Sequence, residues 1–110
     1  MRESYALIPP ETDILITHMP PRAILDSIDR GGVGCSSAKI IEHVGSEALY
    51  DRLCDIRPRL HVFGHIHENG GNKLVMKRAG FGVENNTTCV NASIMNEHYK
   101  PTNKPMRVIL

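Results

Sequence analysis

Aromatic side chains are scarce in this sequence: they make up 5% of the chain, and tryptophan is absent. Single-stranded nucleic-acid binders stack bases on exposed rings, so this composition argues against one. An excess of one charge is lacking too. Thirteen Lys and Arg stand against 12 Asp and Glu, for a formal net charge of +1. That balance excludes the broad basic footprint of a nucleic-acid or anionic-membrane binder. No apolar run approaches the roughly 20 residues needed to span a bilayer. Met1-Arg2-Glu3-Ser4 lacks the apolar stretch of a secretory signal. Cysteine is sparse: Cys35, Cys54 and Cys89 are odd in number, far apart and without a CxxC pair. This is no disulfide framework, and a reducing compartment, the cytoplasm, is expected. The 110 residues fit one small domain. Against these shortages stands an abundance of histidine, six residues in all.

The apolar pattern points to an α/β arrangement. Asp13-Ile14-Leu15-Ile16-Thr17 is a short apolar run between Pro9-Pro10 and Pro20-Pro21. A run of this kind suits a strand buried on both faces of a helix-covered sheet. Residues 1 to 12 read as an irregular lead-in, and Arg22 to Ile28 as one or two helical turns. From Ser46 the pattern becomes helical: Ser46 can cap, Glu47 suits the first turn, and Leu49, Leu53 and Ile56 recur on one face. Arg57 and Pro58 end that helix. Leu60 to Gly64 reads as a second buried strand, and Asn69-Gly70-Gly71-Asn72 as a turn. Lys73 to Lys77, Thr87 to Ala92 and Met106 to Leu110 read as further strands.

Three histidines stand where such a fold places ligand sites, just beyond the carboxyl ends of strands. His18 follows the first strand directly, and His65 and His67 follow the second. In extended backbone, residues i and i+2 project to the same side, so His65 and His67 can serve one site. If the two strands are parallel neighbours, His18 falls beside them. Three neutral imidazoles form part of a site for Zn, Mn or Fe. An HxH pair alone is more often packed or solvated than ligating; the further His after a second strand is what raises the metal reading. His43 and His98 read as solvated loop residues, and His61 as a packed, hydrogen-bonded histidine.

These residues resemble a known family. Asp13-Ile14-Leu15-Ile16-Thr17-His18 with Pro20-Pro21, then Gly64-His65-Ile66-His67-Glu68, then Val90-Asn91-Ala92-Ser93 are similar to the second half of a calcineurin-like metallophosphoesterase. The run Arg57 to Gly64 and the segment Pro101 to Pro105 resemble the brain 239-type members of that superfamily. The resemblance covers residues 1 to 110 and implies the C-terminal half of a β-sandwich flanked by helices. It implies that His18 and His65 bind one metal and His67 a second. It also implies hydrolysis of a phosphoester, some relatives cleaving cyclic nucleotides and other phosphodiesters. Two cations about 3.5–4 Å apart then polarise the phosphoryl oxygens. Asn91 and Glu68 are the candidates for supporting or substrate-side roles, Glu68 by orienting an imidazole.

Three departures from the family pattern matter. Met19 stands where a small residue usually precedes the Pro pair, and residues 35 to 48 look like an insertion. No DxH, GDxxD or GNHE motif occurs, so the carboxylates of a two-metal centre are missing. Three imidazoles alone hold one metal at best. The expectation is therefore a metallophosphoesterase half that needs its other half for activity, or a non-catalytic metal-binding or regulatory remnant. A plain interaction module, whose histidines do no chemistry, is the third possibility. In each case an uncovered sheet edge and apolar face predict self-association or a partner.

The remaining motifs carry less. Gly32-Val33-Gly34 lacks the Gly-Lys-Ser/Thr of a phosphate loop. Nothing in the sequence places a base beside Cys35. The Asn-x-Ser/Thr triplets at Asn85, Asn86 and Asn91 are expected to be unmodified.

Overall fold

The computed structural model describes residues 2–29, 41–77 and 86–110. The Gly32–Gly34 loop, Cys35 and Asn85 lie outside the described residues. The chain is mixed α/β. In order it forms helix α1 (Arg2–Ala6), strands β1 (Ile14–Ile16), β2 (Ser27–Asp29) and β3 (Ile41–His43), helix α2 (Glu47–Ile56), strand β4 (Leu60–Phe63), a 3-10 turn (His67–Asn69), and strands β5 (Asn72–Met76) and β6 (Thr87–Asn91).

The main sheet has the order β1-β4-β6-β5, and β2-β3 form a separate two-stranded ribbon. β1 runs parallel to β4, and β4 parallel to β6, while β5 is antiparallel to β6. The register pairs Ile14 with Leu60, Leu60 with Thr88, and Thr88 with Val75. Since register partners share a face, Leu15, His61, Phe63, Cys89 and Met76 face one way, and Ile14, Ile16, Val62, Val90 and Val75 the other.

α2 covers the first of these faces. Its Leu49 and Leu53 are fully buried and pack with Ile24, Phe63, Met76 and Cys89. The helix begins and ends as its residues dictate. The Ser46 hydroxyl accepts the Leu49 N–H, and Arg57 adopts the left-handed conformation at φ 49° and closes the last turn onto the Leu53 carbonyl. Each fully buried leucine contributes about 1.5–3 kcal/mol. Gly45, just before the cap, lets two backbones touch: a Cβ there would lie 2.4 Å from the Pro21 carbonyl oxygen. That contact is part of the Pro21–Ser46 bridge, in which the Arg22 N–H bonds the Ser46 carbonyl and the Ser46 N–H bonds the Pro20 carbonyl.

Several sequence expectations need correction. β1 is not buried on both faces: it is an edge strand, with Ile14 48% and Ile16 74% exposed. Continuous apolarity does not distinguish a central strand from an edge strand whose outer face is bare. Residues 2–6 form a helix rather than an irregular lead-in. Residues 22–26 make turns instead of a helix, because Ala23 and Leu25 both take positive φ, and β2 follows. Met106 to Leu110 pair with no strand among the described residues. Among the described residues no helix is long and apolar enough to cross a membrane.

Candidate functional site

β1 and β4 end side by side, and their parallel register continues one step beyond the strands. The Thr17 N–H bonds the Val62 carbonyl, and the Gly64 N–H bonds the His18 carbonyl at 3.1 Å. His18 and His65 are thereby brought together, their ring centroids 4.6 Å apart and their planes at 46°. Both residues are exposed. The pair sits beyond the carboxyl ends of two parallel strands, where α/β folds place their ligands.

The backbone at His65 is strained. Its φ is 68°, and the Ile66 N–H closes a three-residue turn onto the Gly64 carbonyl at 2.8 Å. A positive-φ turn of this kind is rare for a residue with a side chain, and such strain gathers at functional sites. It also corrects the expectation for His67. His65 and His67 do not lie on extended backbone, because the chain turns left-handed at His65 and enters the 3-10 turn at His67. The His67 ring is half-buried and forms a T-shaped contact with Tyr99, with centroids 5.4 Å apart and planes at 83°. Glu68 is exposed in the same turn. Among the described residues no group of three or more His, Cys, Asp or Glu converges on one point. The structure thus brings His18 and His65 together as a pair, with His67 two residues further along the same loop.

Two buried side chains set the loop around this pair. Asn91, at the end of β6, is fully buried. Its amide donates to the Ile66 carbonyl at 2.9 Å and to the Leu25 carbonyl at 3.2 Å, while its oxygen accepts the Ser93 N–H. The carbonyl it holds therefore lies between His65 and His67. His61, also fully buried, bonds Thr17, the residue before His18, at 2.9 Å between Nε2 and Oγ1. The Thr17 hydroxyl has a single proton, and the Met19 carbonyl at 2.7 Å can only accept. His61 Nε2–H must then donate to Thr17, which leaves Nδ1 unprotonated and without a partner among the described residues. Burial lowers the His61 pKa to about 4, so the ring is neutral at physiological pH.

A second pair was not foreseen from the sequence. Asp26 is buried, and its Oδ2 accepts the N–H groups of Ala23 and Gly45 at 2.9 and 2.8 Å. Its Oδ1 accepts from His43 Nδ1 at 2.7 Å. His43 is therefore half-exposed but tethered, rather than a free loop residue. The ribbon carrying it is tied to the histidine loop, since Asn69 accepts the Ser27 N–H at 2.7 Å. No spacing rule could have found this pair, because the two residues meet only through the β2–β3 register. His98 is exposed as expected, with Glu97 at 3.7 Å.

The donor set fits a transition metal in part. His18 and His65 supply two adjacent imidazoles, and His67 a third on the same loop; no carboxylate joins them among the described residues.

Comparison with known proteins gives the site a context. No family model matches the chain. It is 39% identical over 111 aligned positions to metallophosphoesterase domain-containing protein 1 of Homo sapiens, and equally to that of Mus musculus. The alignment takes in 98% of this chain and 28% of each relative. A UPF0046 protein of Caenorhabditis elegans is 31% identical over 94% of the chain and 22% of its own length. A probable rhamnogalacturonate lyase C of Emericella nidulans is 44% identical over 62% of the chain, but that stretch is 5% of the lyase. The chain thus spans about a quarter of the metallophosphoesterase relatives it matches. Similarity runs through nearly the whole chain both to the metallophosphoesterase domain-containing proteins and to the UPF0046 protein.

Proposed function

We propose that this chain is the C-terminal, histidine-bearing part of a calcineurin-like, brain 239-type metallophosphoesterase domain that hydrolyses a phosphodiester. The observation that carries the reading is the 4.6 Å approach of His18 and His65 at the ends of two parallel strands. The similarity to proteins named for a metallophosphoesterase domain supports it.

In this reading His18 and His65 hold one divalent ion, Mn, Fe or Zn, and His67 a second. Bound ions of this kind polarise phosphoryl oxygens and supply hydroxide near neutral pH. The chain's own residues set the geometry. The Thr17–His61 bond fixes the backbone before His18, and Asn91 fixes the carbonyl between His65 and His67. The carboxylates that complete a two-metal centre come from outside the described residues. The exposed margins of one sheet face, Ile14 and Ile16 on β1 and Val75 on β5, are then where the second sheet of a sandwich packs. A cyclic nucleotide is a candidate substrate. The scarcity of cysteine suits a reducing, cytoplasmic setting.

The absence of a carboxylate among the converging described residues favours one alternative, a metal-binding remnant without turnover. Hydrolysis of bis-p-nitrophenyl phosphate with added Mn²⁺ separates the two. Metal-dependent turnover that is lost in His65→Ala supports the enzyme. Metal binding without turnover, in the chain and in a longer protein containing it, supports the remnant. Binding of no metal removes both.

A further inference from the structure

Asp26 and His43 form a pair that the proposed reaction does not use. Asp26 is fully buried, and both its oxygens are engaged, Oδ2 by the N–H groups of Ala23 and Gly45 and Oδ1 by the His43 ring at 2.7 Å. The two backbone donors lock the carboxylate, so it cannot turn away from the imidazole. A carboxylate only accepts, so His43 Nδ1 carries the shared proton. Nε2 is then the nitrogen left for a ligand, on a side chain that is 48% exposed. A buried Asp that fixes the tautomer of a His and balances charge on it is the arrangement of a proton-transfer dyad.

The pair is anchored to the histidine loop on both sides of Asp26. On the near side, the Asn91 amide holds the Leu25 carbonyl at 3.2 Å and the Ile66 carbonyl, between His65 and His67, at 2.9 Å. On the far side, the Ser27 N–H and hydroxyl reach Asn69 Oδ1, in the 3-10 turn that begins at His67, at 2.7 and 3.2 Å. His43 stands opposite Ser27 in the β2–β3 register. The turn that delivers Asp26 is strained as well, with Ala23 at φ 67° and Leu25 at φ 50°. Strain of this kind persists only where the surroundings enforce it, and it clusters at functional sites.

The geometry points to His43 as a proton-transfer residue of the site at the histidine loop, with Asp26 as its positioning residue. This rests on the metallophosphoesterase reading for the phosphoryl group on which the ring acts. Protonated at both nitrogens, the ring gives its Nε2 proton to the leaving oxygen. The electron pair of the breaking P–O bond closes on that oxygen, while the attacking hydroxide oxygen forms the new P–O bond. Nδ1–H stays on Asp26, whose charge balances the imidazolium. On a phosphoryl group that cannot react, the same Nε2 makes a hydrogen bond to a phosphoryl oxygen.

Nitrogen-15 NMR of the histidine rings in the full chain tests this, with methylphosphonate as the non-hydrolysable probe and Zn²⁺ as the ion. Where the rings are neutral, His43 is expected as the Nδ1–H tautomer, and Asp26→Asn, which turns an amide donor towards the ring, moves that proton to Nε2. Methylphosphonate with Zn²⁺ shifts the His43 Nε2 resonance, and Zn²⁺ alone does not. His43→Ala, at an exposed position, keeps the Zn²⁺ affinity and weakens methylphosphonate binding about three- to tenfold, the loss of one hydrogen bond. A bound probe that leaves Nε2 unmoved, or that binds His43→Ala equally well, overturns the assignment and leaves the phosphoesterase reading standing. A shift of Nε2 with Zn²⁺ alone also overturns it, and makes His43 a metal ligand. Failure of the probe to bind at all removes the assignment and the phosphoesterase reading together.

Discussion

His18 and His65 stand 4.6 Å apart because β1 and β4 are parallel and in register, Ile16 opposite Val62. Two residues past that pairing, the Gly64 N–H still bonds the His18 carbonyl, so the two side chains leave the sheet edge together. The pair is a consequence of register, and a slip of β1 by one residue would turn His18 to the opposite face.

Buried His61 makes stability depend on pH. Its folded pKa of about 4 lies below the ordinary 6.5, so between those values the unfolded chain binds a proton that the folded chain refuses. Stability is complete above pH 6.5 and falls as the pH drops towards 4, by a total on the order of 3 kcal/mol. Urea unfolding at pH 7 and pH 4.5 checks this. The loss between those pH values should be smaller in His61→Phe than in the natural chain, and equal losses in both would contradict it.

The Asp26–His43 pair should be asymmetric. Asp26→Ala leaves three donors without their acceptor, two of them backbone N–H groups, and should cost about 2 kcal/mol or more. His43→Ala leaves the carboxylate with both backbone bonds and should cost less, because the imidazole is half-exposed. Chemical denaturation of the two variants reads the order directly.

Gly45→Ala should destabilise the chain by about 1–3 kcal/mol, the usual cost of overpacking. Its Cβ would meet the Pro21 carbonyl at 2.4 Å, and backbone on both sides leaves little room to move. Thermal unfolding measures the loss.

The sequence carries α2 nearly whole, because a cap, a 3.6-residue apolar stripe and a stop lie within one short stretch. It also carries the strands around His18 and His65 and their adjacency, given a parallel pairing. It is silent on exposure: Ile14 and Ile16 look like core residues and are exposed to water. Extended spacing also misjudged His67, because the turn at His65 depends on a left-handed backbone that no side-chain pattern announces. Asp26–His43 and Tyr99–His67 are contacts between distant segments, and their partners are set by the fold.

Metal binding by the two imidazoles tests the account most directly. Calorimetric titration of the folded chain with Mn²⁺ and Zn²⁺ is compared with His18→Ala and His65→Ala, with His98→Ala as an exposed control outside the pair. Loss of a metal ligand should weaken binding by at least tenfold in each of the first two, with the control unchanged. Equal affinity in all four proteins would contradict a metal centre at His18 and His65.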